Sequence, residues 1–268
     1  MKNTRSRIAF LPLSIVAACS ALPAMAAEKE PHLDIWLRPT KAGVLTGSIT
    51  EGTPGEPVAE RADVFSGDFG SDPKFPFAAF EPGFQALATG FQTTFSFEIA
   101  GPLQVYAGGS FVPTTATMTL SYGPSSITST EGTVGGFTFS TFASGLLHDH
   151  FDYILNGVAG ADPAAGVYAL PLRFAATAPA ADPGNVAWVV LNAGESEAVH
   201  EEAIRAAELF LACGIDLDAD GSVGATDLAA LLGGWGGSDE SLDLDRDGSI
   251  GASDLAALLG AWGFNCGG

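Results

Sequence analysis

Twelve residues occur twice near the C-terminal end of this chain, and each copy prescribes a backbone path open to few sequences. Asp-Leu-Asp-Ala-Asp-Gly-Ser-Val-Gly-Ala-Thr-Asp runs from Asp216 to Asp227, and Asp-Leu-Asp-Arg-Asp-Gly-Ser-Ile-Gly-Ala-Ser-Asp from Asp243 to Asp254. Carboxylates fall at positions 1, 3, 5 and 12 of each loop, with Gly221 or Gly248 at position 6. This is the spacing by which a short loop wraps calcium in oxygen ligands. Position 6 must turn sharply, which glycine does without steric penalty. Position 8, Val223 or Ile250, is the apolar residue through which paired loops are expected to pack.

Each loop runs on into Leu-Ala-Ala-Leu-Leu-Gly-x-Trp-Gly. Leu228, Leu231, Leu232 and Trp235, like Leu255, Leu258, Leu259 and Trp262, recur at i, i+3, i+4 and i+7. Two short helices are predicted, each burying one apolar face against the other. The stretch before the second loop, Gly236-Gly237-Ser238-Asp239-Glu240-Ser241-Leu242, is too short and too flexible for an incoming helix. Each unit is therefore the loop-then-helix half of an EF-hand.

Over residues 213 to 266 the sequence resembles the type I dockerin family, duplicated calcium-loop-helix modules that plug into a cohesin partner. The Leu-Leu-Gly-x-Trp-Gly ending with a closing cysteine is similar to the variant found in secreted planctomycete proteins. The resemblance implies two calcium ions. Asp216, Asp218, Asp220 and Asp227, with the Ser222 carbonyl, would ligate one; Asp243, Asp245, Asp247 and Asp254, with the Ser249 carbonyl, would ligate the other. It also implies a cohesin-like protein or a cell-surface component as partner. The chain departs from the family at position 3, which is Asp rather than Asn. It departs also at the partner-reading positions, Ala225-Thr226 and Ala252-Ser253, and at Leu232-Gly233 and Leu259-Gly260, where basic residues are frequent.

The chain carries 31 acidic against 11 basic residues, which argues against nucleic acid and anionic membranes as partners. Lys2, Arg5 and Arg7, an apolar stretch from Ile8 to about Leu22, and Ala24-Met25-Ala26 read as a signal peptide over residues 1–26. The product would be secreted, periplasmic or at the cell surface. Val16-Ala17-Ala18-Cys19 offers an alternative, lipidation at Cys19. No later stretch is apolar enough to span a bilayer. Cys213 and Cys266 then remain, and export with an even count favours a disulfide over two buried thiols. Closing a loop of that length is worth about 4 kcal/mol in the chain-entropy model.

From His32 to about Asn192, short runs alternate with period two between Gly, Pro and Asp. Candidate strands are 32–37, 93–99, 103–106, 115–122, 136–140, 146–155, 167–174 and 187–191. A mainly β fold is expected, an antiparallel β-sandwich or jelly roll over residues 27–194. Residues 51–85 read as a long irregular insertion. A helix is expected over 196–212 with Val199, Ala203, Ala206 and Phe210 on its apolar stripe. It would connect (195–213) to a small helical module (214–268).

His148-Asp149-His150-Phe151-Asp152 lies in a strand pattern, so period two puts His148, His150 and Asp152 on one face. His32 and Asp34 share a face on the first strand. Histidines two apart on a strand are a common way to hold zinc or copper with a ligand from a neighbouring strand, so His32, His148 and His150 form the candidate site. The alternative is histidines satisfied by hydrogen bonds. His200, beside Glu201, is read as solvent-facing. The segment Glu81-Pro82-Gly83-Phe84 with the His-Asp-His strand faintly resembles secreted, zinc-regulated bacterial β proteins. No nucleophile motif or phosphate loop is present. Glu81, Glu98, Asp149 and Asp152 are available carboxylates, and Trp36 and Trp188 could stack sugars. The expectation is thus an exported calcium-binding protein, assembled or attached through its duplicated module, whose β-sandwich holds zinc or copper. The alternative is a carbohydrate-active protein, a polysaccharide-binding module or glycoside hydrolase, recruited through the same module.

Overall fold

The computed structural model describes residues 33–40, 43–52, 55–59, 62–181, 184, 186–218, 220–239, 241–244, 249–263 and 266. Residues 1–26, for which a signal peptide is expected, including Cys19, lie outside the described residues, as do His32, Asp245 and Asp247. The described chain is mainly β, with its strands in three sheets.

The first sheet comprises β1 (Leu33–Pro39), β2 (Val44–Thr50), β3 (Pro57–Ala59), β6 (Phe84–Ala86) and β13 (Leu147–Asp149), in the order β13-β6-β1-β2-β3. The second contains β5 (Ala78–Ala79), β10 (Thr117–Tyr122), β11 (Ser125–Thr128) and β14 (Asp152–Asn156), in the order β11-β10-β14-β5. The third is built on β4 (Val64–Asp68), β7 (Thr94–Ile99), β12 (Val134–Ser140), β15 (Gly166–Ala178) and β17 (Val186–Ala193), in the order β12-β7-β15-β17-β4. The hairpin β8 (Gln104–Ala107) and β9 (Ser110–Pro113) joins this sheet through β15, as does β16 (Ala180–Ala181).

All three sheets contribute to one apolar core. Ile35 and Leu37 come from the first, Met118, Leu120 and Tyr153 from the second, and Phe95, Phe97, Leu172 and Val189 from the third. Alternation assigns these residues inward, as on β7, where Phe95, Phe97 and Ile99 are buried and Thr94, Ser96 and Glu98 are half-buried. On β17 the alternation is hidden because both faces are covered. Ala187, Val189 and Leu191 enter the main core, while Trp188 and Val190 enter a second cluster with Ala203 and Ala207 of the helix above. A strand buried on both faces reads as a continuous apolar run.

Several expectations change. Two of the three sheets are mixed rather than purely antiparallel, since β1 pairs with β6, and β17 with β4, in parallel. The segment 51–85 is not a plain insertion: it carries β3, β4, β5 and β6. The single strand expected over 146–155 is two, β13 in the first sheet and β14 in the second, with His150 and Phe151 at the corner between them.

Helix α1 (Glu197–Ala212) starts where Ser196 accepts a hydrogen bond from the Val199 N–H, a side-chain N-cap. Its buried face is His200, Ala203 and Ala207, so the stripe is rotated from the one expected. Phe210 lies at the edge, largely exposed, with its ring 4.9 Å from that of Trp188. His200 is not solvent-facing: the small alanines draw the helix close to the sheet. Its Nε2 sits 3.4 Å from the Val190 carbonyl and its Nδ1 3.8 Å from Asp68.

Beyond α1, helices α2 (Ala225–Gly233) and α3 (Ala252–Gly260) surround a third cluster of Val223, Leu231, Ile250 and Leu258. Cys213 and Cys266 are joined by a disulfide. Val223 and Ile250 are both buried, but their backbones do not bond each other. The Val223 carbonyl accepts from Gly263 N–H, and Ile250 exchanges bonds with Gly236 and Gly237. Each loop is thus hydrogen-bonded to the turn that follows the other loop's helix. The apolar stripe divides: Leu231 and Leu258 are fully buried, whereas Leu232, Leu259, Trp235 and Trp262 are about half exposed. Among the described residues, no helix is long and apolar enough to cross a membrane.

Candidate metal centre

Three neighbouring strands of the first sheet bring the site together. His148 on β13 stands opposite Gln85 on β6, and Gln85 is in register with Trp36 on β1. Asp34, two residues before Trp36, projects to the same face by the period of the strand. His150 follows β13 and faces the same way. Leu147 and Phe151 alternate with the histidines and fill the core instead.

The distances define a compact donor set. The Nε2 atoms of His148 and His150 are 3.1 Å apart, and His148 Nε2 lies 3.3 Å from Asp34 Oδ2. One ligand atom from each of Asp34, His148 and His150 falls within 4.8 Å of the others. An ion bound tetrahedrally at about 2.0–2.1 Å from nitrogen holds two such atoms about 3.3 Å apart. Two of the three separations, His148–His150 and His148–Asp34, already match that spacing, and the donor types suit a divalent transition ion.

The far sides of the ligands are tied down as metal ligands require. His150 Nδ1 is 2.8 Å from the Phe80 carbonyl and 3.6 Å from Glu81 Oε2. The carbonyl can only accept, so Nδ1 carries the hydrogen and Nε2 is left with its lone pair towards His148. Asp34 is fully buried; its Oδ1 accepts from Gly83 N–H at 2.9 Å and its Oδ2 from the Gln85 amide at 2.7 Å. The Gln85 amide also donates to the Thr50 carbonyl. Gly83 is required by proximity alone: a Cβ there would stand 2.6 Å from His150 Cε1 and 2.9 Å from the Asp149 carbonyl.

Burial pushes the Glu81 carboxyl above the usual range; the adjoining His150 opposes that, and the charges of Asp34 and Glu51 add to it. Burial, then the charges of Asp34 and Glu81, also raise the pKa of Tyr153, whose hydroxyl donates to the Pro82 carbonyl. Glu51, Glu81 and His150 form a second, overlapping group of potential ligand atoms.

Of the expected ligands, His148 and His150 are brought together and His32 lies outside the described residues. Asp34 is the third donor, from the His-x-Asp strand already marked by its alternation. Gln85, Gly83 and Glu81 carried no such signal, lying in the segment read as irregular. His200 takes no part, being held under α1.

At the C-terminal end, Asp216, Asp218 and Asp227 form another group within 4.8 Å. Asp227 is fully buried and accepts from the backbone N–H groups of Leu217, Asp218 and Gly224. Burial opposes its ionisation, but these donors outweigh that and lower its pKa. Asp254 repeats the arrangement with Leu244 and Gly251. Asp220 is turned to the N–H and hydroxyl of Ser222. Asp243 is buried and donates its own N–H to the Asp239 carbonyl. Ser249 lies directly before Ile250 at the equivalent of Ser222.

Of the remaining carboxylates, Asp152 lies exposed on β14 of the second sheet, away from the histidines' strand, and the other two have structural partners. Glu98 pairs with Arg173 across β7 and β15 at 2.9 Å, and Asp149 accepts from the Tyr122 hydroxyl. Trp188 is buried, and Trp36 lies beneath the Arg38 guanidinium. A cleft of about 460 Å³ between α1 and the β8–β9 hairpin is lined by Tyr106, Glu195 and Glu202 among others. Compared with protein-family models, curated proteins and solved structures, the chain finds no match in any of the three.

Proposed function

We propose that this chain is an exported metal-binding protein in two functional parts. The β body holds one zinc or copper ion at Asp34, His148 and His150. The duplicated C-terminal segment is a dockerin-like module that binds two calcium ions and serves assembly or attachment to a cohesin-like protein or surface component. The observation that carries the first part is the approach of His148 Nε2 to within 3.1 Å of His150 Nε2 and 3.3 Å of Asp34 Oδ2, with ligand atoms of all three residues within 4.8 Å of one another. A polar sheet face or isolated hydrogen-bonded histidines would not need His148 this close to both other donors, nor the second ring nitrogen of His150 committed elsewhere. The second part is supported by the Asp216, Asp218 and Asp227 group and by the half-exposed Leu232, Leu259, Trp235 and Trp262.

The test is metal analysis of the chain after stripping and dialysis against zinc or copper, with calcium saturating. One equivalent of transition metal should be retained, and lost in His148→Ala/His150→Ala. Retention by the double variant, or none by the parent, overturns the reading. The carbohydrate reading rests on the Tyr106, Glu195 and Glu202 cleft, which offers one aromatic ring and two carboxylates.

A further inference from the structure

Strand alternation leaves one residue in β13 unexplained. Leu147 and Phe151 point into the main core, and His148 and His150 point away from it. Asp149, between the histidines, therefore falls on the core-facing side, where an apolar residue is expected. A carboxylate there is costly unless its oxygens are satisfied. They are: Asp149 Oδ2 accepts from the Tyr122 hydroxyl at 2.6 Å, and Oδ1 from the His150 N–H at 2.9 Å. The Tyr122 ring cannot easily follow a moving partner. It stacks on Phe137 at 5.8 Å and 10°, and Phe84, Phe139 and Phe151 stand about it at 6.1–6.3 Å.

We propose that Tyr122 and Asp149 are positioning residues for the metal centre. Tyr122 belongs to the second sheet and Asp149 to the first. Their bond fixes the corner at which the chain passes between sheets, and that corner carries both histidines. The hydroxyl sets where Asp149 sits, and Asp149 in turn sets the backbone of His150 through its N–H. Neither residue touches the ion. This inference rests on the metal reading above.

The experiment measures zinc affinity of the full chain by competition with a chromophoric chelator, with calcium saturating, and records the absorption spectrum of the cobalt(II) form. Tyr122→Phe and Asp149→Ala should bind zinc about 10–100-fold more weakly, the range for outer-shell partners of metal ligands, and should alter the cobalt spectrum. Asp149→Asn should keep most of the affinity, because its amide oxygen can accept from His150 N–H while its NH2 donates to the tyrosine oxygen. If the parent binds zinc and Tyr122→Phe binds it equally well with an unchanged cobalt spectrum, the positioning role is overturned, whatever the variant's melting temperature. If the parent binds neither zinc nor copper, the metal reading itself has failed.

Discussion

Gly83→Ala should uncouple the metal centre from the fold that carries it. The new methyl would stand 2.6 Å from His150 Cε1, 2.7 Å from Nδ1 and 2.9 Å from the Asp149 carbonyl. Ordinary contact needs roughly 3.5–4.0 Å between carbons, so the ring must retreat by about 1 Å. Metal–ligand distances tolerate only about 0.2 Å, and Gly83 also anchors Asp34 through its N–H. Zinc affinity should fall at least about 10-fold, since outer-shell changes alone cost about 10–100-fold. Overpacking a well-filled site costs about 1–3 kcal/mol, or roughly 2–12 °C of melting temperature for a chain of this size. Thermal unfolding of the metal-free protein measures that cost in Gly83→Ala, His150→Ala and the double variant. With the imidazole gone, the two closest contacts to the methyl are removed, so the double variant should lose less than the sum of the two. Strict additivity, or undiminished zinc binding by Gly83→Ala, refutes the geometry on which the site is argued.

Calcium removal should act on the C-terminal segment alone. Adding chelator should reduce the helical circular dichroism of α2 and α3 while the sheet signal persists; calcium at 100 times its dissociation constant would stabilise each site by about 2.7 kcal/mol. An unchanged spectrum and proteolysis pattern would count against the calcium reading. Reduction of Cys213–Cys266, which closes a separation of 53 residues, should cost about 4 kcal/mol in the chain-entropy model, read as earlier melting of the same segment. The Tyr122 hydroxyl has its pKa pushed up to about 12, by burial and then by Asp149. Between about pH 10 and 12 the unfolded chain therefore holds fewer protons than the folded one, and stability should fall as pH rises. Urea unfolding at successive pH values should show a shallower decline in Tyr122→Phe.

The strands that alternate, β7 and β10, were legible in the sequence, and β15 and β17 lie where their apolar runs place them. The shared face of His148 and His150 was legible for the same reason. The break between β13 and β14 was not, because Leu147, Phe151, Tyr153 and Leu155 all reach the core and the period runs through the corner unbroken. What changes there is the partner sheet, which periodicity does not encode. Gln85 and Glu81 were hidden differently. β6 has three residues, all buried, and pairs in parallel with β1, so no alternation marks it. The inward turn of His200 follows from the neighbouring Ala203 and Ala207, whose small side chains let the helix approach the sheet more closely than an amphipathic stripe suggests.

The strongest physical argument for an ion at this site is the charge on Asp34. A carboxylate removed from water needs a compensating charge or a full set of donors. Asp34 receives two neutral hydrogen bonds, from Gly83 and Gln85, and its nearby cationic candidate is His148 at 3.3 Å. A histidine supplies positive charge only while protonated. One ion placed among the three donors would neutralise the buried carboxylate and bind the two ring nitrogens that face each other. It would also join β1 to β13, a strand of three residues whose described ladder runs only to the equally short β6. The metal is thus proposed at a short edge strand, where its binding would contribute to the fold as well as to function.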